Sequence, residues 1–321
     1  MHTFFFGAKI ALFVVVFASL TIVSSKEIAM QLFNKPSGIS LMALCLLFSS
    51  TAYAEPIVSG FDSNPLASGD TASAAVSLGF TANFFGDEFT NAFVNTDGNL
   101  SFGGPVSFGN AGLGGVGQSI IAPFFADVDT SFTGSGGPVT FGTGTFDSQQ
   151  AFGINWKNVG YYLGLQNPDI QNSFQLILVD RSGETGITGD FDVVFNYEKI
   201  LWEAGLRSGA NEQGLGGTSA TVGFFSPNPS TGDLFELPGS RVPGSFVDGG
   251  TNPLVSFSYN AFNDSGQPIP GRQIYEFRGG DFVNPPTYTN PPESVPEPTT
   301  LLLLGSGLLG LGFARRRVHN G

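Results

Sequence analysis

Asp127 and Asp129 are the residues whose type and spacing most directly suggest chemistry. They stand two apart at the end of the apolar run Ile120 to Ala126, so on a strand both carboxylates face one side, some ~6 to 7 Å apart. Two like charges that close favour a shared cation or a raised pKa on one of them. Solvated turn carboxylates capping backbone N–H groups are the plain expectation for Asp127 and Asp129; a hard divalent ion such as Ca²⁺, completed by loop carbonyls, is the sharper alternative. A glycosidase acid and nucleophile is a further reading of the pair, since retaining enzymes hold them about 5 to 5.5 Å apart. No aromatic sugar platform can be placed beside the pair from sequence.

Other chemistries are excluded by what is missing. Between residues 55 and 298 there is no Cys, His or Met; Cys45, His2 and His319 all lie outside. Ser-His-Asp triads, Cys-His pairs, ordinary zinc sites and disulfides therefore have no residues to form from. Gly112, Gly114 and Gly117 satisfy a nucleotide-binding spacing, but Ile120, Ile121 and Pro123 follow where a helix would be needed. Asn95, Asp97 and Asn99 mimic the start of an EF-hand loop, yet glycine falls at its fourth place and Val106 at its twelfth, which rules that loop out. No enzymatic activity and no organic cofactor are expected.

The same segment carries 25 acidic and seven basic residues, a net charge of 7 − 25 = −18. Such a surface repels phosphates, so nucleic acid is not an expected partner.

The elements that must position these carboxylates read as strands. Phe152, Ile154 and Trp156 alternate with Ala151, Gly153 and Asn155, and Phe191, Val193, Phe195 and Tyr197 alternate with a more polar face of Asp190, Asp192, Val194 and Asn196. Residues 174–179 are apolar on both faces at their centre, as in an interior strand. Residues 91–95, 99–103, 139–142, 219–225, 254–259 and 272–277 are further candidates, with Asp97 and Gly98 forming a two-residue type I′ hairpin turn. Trp156 and Trp202 are expected in the core. Short strands punctuated by Gly, Asn, Asp and Pro predict an all-β, antiparallel, sandwich-like single domain.

Both ends of the chain look like targeting segments. Residues 4–23 and 39–48 are apolar; Lys35, the core 40–48 and the Ala52-Tyr53-Ala54 site predict signal cleavage at Ala52 and Ala54, before Glu55. Met30 just upstream suggests that residues 1–29 are an extended start; a signal anchor at 4–23 is the rival reading. At the other end come Val295, Pro296, Glu297 and Pro298, an apolar stretch from Thr299 to Ala314, and then Arg315, Arg316 and Arg317. The stretch would be about 24 Å long as a helix, short for a span of roughly 30 Å. The arginines favour leaving the extreme terminus in the cytoplasm.

That tail resembles the PEP-CTERM sorting signal of Gram-negative bacteria. The resemblance implies recognition and removal by the protease-transpeptidase exosortase, passage through the secretion machinery, a transient hold in the inner membrane, and a final place that is secreted or at the cell surface. Between Gln118 and Phe225 the chain also resembles the nidogen-like (NIDO) domain of matrix-associated proteins. Three stretches carry the likeness: Ile120 to Thr130, Phe152 to Tyr162, and Asn172 to Leu178 running on to Asp192 through Trp202, with Ala220 to Phe224 closing the module. This second resemblance implies a role in cell-matrix adhesion or exopolysaccharide association. A secreted carbohydrate-active enzyme using carboxylates alone, or a passive biofilm component, are the competing functions. The expected organisation is thus a leader (1–54), a nidogen-like β domain (55–280), a Pro-rich spacer (281–298) and a transmembrane sorting helix with a basic tail (299–321).

Overall fold

The computed structural model describes residues 57–109, 111–132, 137–162, 169–227, 233–283 and 285. The signal-cleavage residues, the sorting motif and the apolar C-terminal stretch lie outside them. Among the described residues no helix is long and apolar enough to cross a membrane.

Two antiparallel sheets face one another. The first runs β1 (Asn64–Pro65), β7 (Thr140–Phe146), β8 (Gln149–Tyr161), β9 (Asn172–Asp180), β10 (Phe191–Lys199), β13 (Arg272–Arg278) and β14 (Asp281–Val283), with β6 (Val128–Asp129) pairing the end of β8. The second runs β12 (Leu234–Glu236), β11 (Thr221–Phe225), β5 (Ile120–Phe125), β4 (Asn99–Ser101), β3 (Asp87–Asn95) and β2 (Ser73–Phe84). The expected sandwich-like all-β architecture is what the chain forms.

The inner faces are those the alternation marks. Phe152, Ile154 and Trp156 of β8, Phe174 and Leu176 of β9, and Phe191, Val193 and Phe195 of β10 meet Phe84, Leu100, Phe124, Val222 and Phe224 from the second sheet in one buried cluster. Aromatic rings dominate it: Trp156 stacks on Phe174 at 5.1 Å, and Phe191 on Phe277 at 4.9 Å. Both tryptophans are fully buried, and each spends its indole N–H on a carbonyl, Trp156 on Thr96 at 2.8 Å and Trp202 on Val159 at 3.0 Å. A buried indole needs such a partner, so both act as core residues.

Three expectations change. The more polar face of β10 is buried as well: Asp192 is held between Arg181 Nε and Arg278 Nη2, each at 2.7 Å, and Asn196 joins a row of amides beneath residues 57–65. Residues 254–259 form no strand: Ser256 and Phe257 donate back to the carbonyl of Pro253 in a turn, and only Tyr259 bridges to Gln273 of β13; the apolar side chains there pack on the core from a largely irregular segment. The spacer expected from Asp281 starts later, since β14 pairs with β13 and Phe282 sits 4.9 Å from the ring of Phe224.

The β3–β4 hairpin also differs from a two-residue turn. Asn95 pairs with Asn99 across a three-residue loop in which Gly98 alone has positive φ, at 66°. Asp97 is 2% exposed and points inward. That inversion brings a carboxylate into the site.

Candidate functional site

Asp70, Asp97 and Asp127 converge at one end of the sandwich, with a carboxylate oxygen from each lying within 4.8 Å of the others. Each arrives on a different piece of backbone. Asp70 lies between β1 and β2, where the adjoining Gly69 exchanges hydrogen bonds with Thr130, donating its N–H to Oγ1 at 3.0 Å and accepting the Thr130 N–H at 3.1 Å. Asp97 comes from the β3–β4 hairpin, its two oxygens accepting the N–H groups of Phe108 (2.7 Å) and Val128 (3.1 Å). Asp127 sits at the bend between β5 and β6, and its main chain accepts the Tyr162 N–H at 2.9 Å. Gly205 packs so closely on Asp127 that a Cβ there would meet its Oδ2, so glycine lets the wall of the site close.

These carboxylates line a cavity of about 270 Å³ together with Tyr162, Arg207, Ser208 and the loop at Ser107 to Gly109. The guanidinium of Arg207 lies over the Tyr162 ring at 4.8 Å, and Ser208 Oγ is 3.5 Å from Asp127 Oδ2. Arg207 and Ser208 share the short turn Leu206–Ser208, which is anchored by the Leu206 N–H donating to the Tyr162 carbonyl.

The electrostatics are those of a site short of positive charge. Burial pushes Asp127 up to about 6, with the neighbouring Asp70 adding to the rise and the Ser208 hydroxyl opposing it. Asp97 is raised well above the ordinary carboxyl range by burial, against the opposing N–H of Phe108, with Asp127 and Asp70 pushing it further up. Asp70 is raised by burial and by Asp129, while Arg207 pulls it down. Its Oδ1 is buried with no hydrogen-bond partner among the described residues. A buried carboxylate oxygen without a donor is costly. This unpartnered oxygen, with the Asp97 and Asp127 carboxylates beside it, suits a hard cation that takes six to eight oxygen ligands, and the residues present fit a divalent ion of the Ca²⁺ kind.

The expected pair is therefore divided. Asp127 belongs to the triad; Asp129, in β6, accepts the Ser131 N–H at 2.7 Å and stands beside the cluster as a neighbouring charge. Asp70 and Asp97 are the residues sequence reasoning missed. The N-x-D-x-N run at 95–99 was the signal for Asp97, set aside because it fails as an EF-hand.

A pH dependence follows with a definite sign. Asp70, Asp97, Asp127, Glu203 and Asp248 are all held above the ordinary carboxyl range by burial. A raised acid stabilises the fold at pH below its unfolded pKa, and that contribution is lost as pH rises through the folded value, for Asp127 through about 6. In chelator, thermal unfolding is expected at a higher temperature at pH 5 than at pH 7.5. Equal or reversed melting temperatures would show that the clustered charges are relieved in some other way.

With this geometry in view, the comparisons are informative. The chain matches the model of the nidogen-like domain over residues 90–279, more than half its length, and belongs to that family. Residues 294–317 match the PEP-CTERM protein-sorting motif. The family match extends the core of 118–225 expected from sequence to most of β3, and it takes in β13, which lies within the expected domain of 55–280. Alpha-tectorin of mouse, human and chicken is 30% identical over 199 residues, 54% of this chain. The match spans 9% of the length of those relatives. No solved structure matches. The sorting motif implies processing by the exosortase machinery, and with the nidogen-like domain it marks an exported, extracellular or cell-surface protein.

Proposed function

We propose that this is a non-catalytic matrix protein of a Gram-negative cell surface, whose nidogen-like domain associates with exopolysaccharide through a divalent cation held by Asp70, Asp97 and Asp127. The observation that carries the reading is the presence of a matrix-type domain and a sorting motif in one chain. The acidic cavity supports the finer part. A cation there leaves coordination positions open on the cavity side for carboxylate or hydroxyl oxygens of an acidic sugar, with Arg207 and Tyr162 at hand for the rest of the residue. The inner membrane holds the precursor through residues 299–314 until exosortase acts at the motif around Val295 to Pro298.

The test is co-sedimentation of the purified domain with exopolysaccharide from a producing strain. Binding is expected with millimolar Ca²⁺, abolished by chelator and reduced at least tenfold in Asp97→Asn/Asp127→Asn. Chelator-insensitive binding would remove the cation from the reading. No binding, or release of reducing sugar, would replace adhesion by a passive or an enzymatic role. The melting temperature at pH 7.5 is expected to rise by several degrees with Ca²⁺ in the parent domain and not in the double variant; the parent's failing to respond sinks the cation site.

A further inference from the structure

The outer face of the first sheet holds a second built site, and residues 57–65 fill it. Ala151, Ile177, Val179 and Val194 form an apolar patch separate from the main core, closed by the fully buried ring of Phe61 with Val58 beside it. Phe61 lies over glycines: a Cβ on Gly153 would sit 2.3 Å from its Cγ, and one on Gly144 would sit 2.9 Å from its Cε1. The hole is shaped for an aromatic ring by the absence of two side chains.

The main chain of the same segment is read by amides. Gln175 accepts the Val58 N–H at 3.2 Å and donates to the Val58 carbonyl at 2.7 Å; Asn155 donates to the Phe61 carbonyl at 2.9 Å. These amides cannot turn over. Arg272 has only donors, and its Nε bonds Asn196 Oδ1 at 2.7 Å, so Asn196 presents its NH₂ to Gln175 Oε1 at 2.8 Å. Gln175 in turn presents its NH₂ to Asn155 Oδ1 at 2.7 Å. The four residues are direct neighbours across β8, β9, β10 and β13, so one guanidinium fixes the polarity of the row. Main-chain readout by fixed amides with one aromatic anchor is how a groove recognises an extended peptide.

We propose that this face is a peptide groove for a Val-x-x-Phe segment and that it takes the segment from a second copy of this chain, linking neighbours by exchange of their amino-terminal arms. The arm starts three residues beyond the expected signal cut, so its exchange needs no threading of the chain. Exposed Ala67 and Ser68 give the hinge; they lie between Leu66, which is buried in the main core and travels with the arm, and Gly69, which Thr130 pins. Identical elements traded between protomers are a low-cost route to association.

Two complementary variants test this. Gly153→Val blocks the groove and frees its own arm; Phe61→Ala leaves the groove open and its arm without an anchor. Each alone is expected to be monomeric, and an equimolar mixture is expected to form a 1:1 complex of twice the mass, lost when the Gly153→Val chain also carries Phe61→Ala. A mixture that remains monomeric with both native circular dichroism spectra intact overturns the proposal. Should either variant fail to fold, a labelled peptide of residues 55–66 is added to refolding Phe61→Ala chain. Recovery of the native spectrum, at least tenfold less effective with the Phe61→Ala peptide, is expected; no recovery overturns the proposal equally.

Discussion

Gly98→Ala is expected to destabilise the domain by about 4 kcal/mol or more, seen as a lowered denaturant midpoint with an unchanged m value. Two costs add. Gly98 holds φ at 66°, a conformation that costs an L side chain on the order of 1 kcal/mol. Beyond that, a Cβ would lie 1.8 Å from the carbonyl oxygen of Phe124, which is backbone and cannot swing aside. Phe124 also donates its N–H to the Gly98 carbonyl at 3.3 Å, so the hairpin must part from β5 to make room. Gly117 provides the control. Its φ is 75° and nothing lies within 4 Å of a Cβ there, so Gly117→Ala is expected to cost only about 1 kcal/mol. Because the hairpin carries Asp97, Gly98→Ala is also expected to blunt any Ca²⁺-dependent rise in melting temperature. Similar losses at the two glycines would mean that the contact with Phe124 is not what selects glycine at 98.

The difference between Gly98 and Asp97 shows which parts of the fold could be read from sequence. A two-residue period in β8 and β10 and the apolar run in β9 were legible because alternation is a local property, and their inner faces are the ones that pack. The Asp97-Gly98 pair correctly marked a hairpin. Its type was not legible: whether Asp97 takes positive φ or turns inward depends on Phe108 and Val128, which offer it N–H groups from other segments. The triad is tertiary in the same sense. Ser68-Gly69-Asp70-Thr71 reads as an ordinary loop, and contacts distant in sequence, the Gly69–Thr130 exchange and the Thr96 N–H donating to the Ala72 carbonyl, hold it beside Asp97 and Asp127. β5 ends at Phe125 and β6 begins at Val128, so the strand geometry that would place Asp127 and Asp129 on one face does not extend to Asp127. Residues 254–259 failed for the opposite reason, as apolar spacing there reports burial, and only Tyr259 at the end of the run pairs, as a single bridge to Gln273 of β13. Arg272 and the amide row under residues 57–65 left no sequence signal, since the polar residues involved stand singly on four separate strands.

Glu203→Ala is expected to cost about 3 to 5 kcal/mol, or roughly 10 °C in melting temperature for a domain of this size. The side chain is wholly buried, and its oxygens accept the N–H groups of Gly244 at 2.5 Å and Phe246 at 2.6 Å. It thus performs for the 243–247 loop what a paired strand performs elsewhere, supplying acceptors to backbone donors that have no ladder. Alanine removes both acceptors at once, with each orphaned buried donor costing about 1 to 3 kcal/mol. Burial holds the Glu203 carboxyl above its ordinary range despite these N–H groups. Glu203→Gln keeps one acceptor oxygen and the shape, and is expected to fall about midway between parent and alanine. The consequence reaches the acidic cavity. Glu203 and Ala204 both donate their N–H groups to the Gly214 carbonyl, and Gly205 follows directly, lying against Asp127 at the start of the turn that carries Arg207 and Ser208. Loosening residues 203–205 should therefore speed amide exchange along 205–209 as well as 243–247. Faster exchange confined to 243–247 would show that the wall of the cavity is held by the Leu206–Tyr162 contact alone, independently of the buried carboxylate.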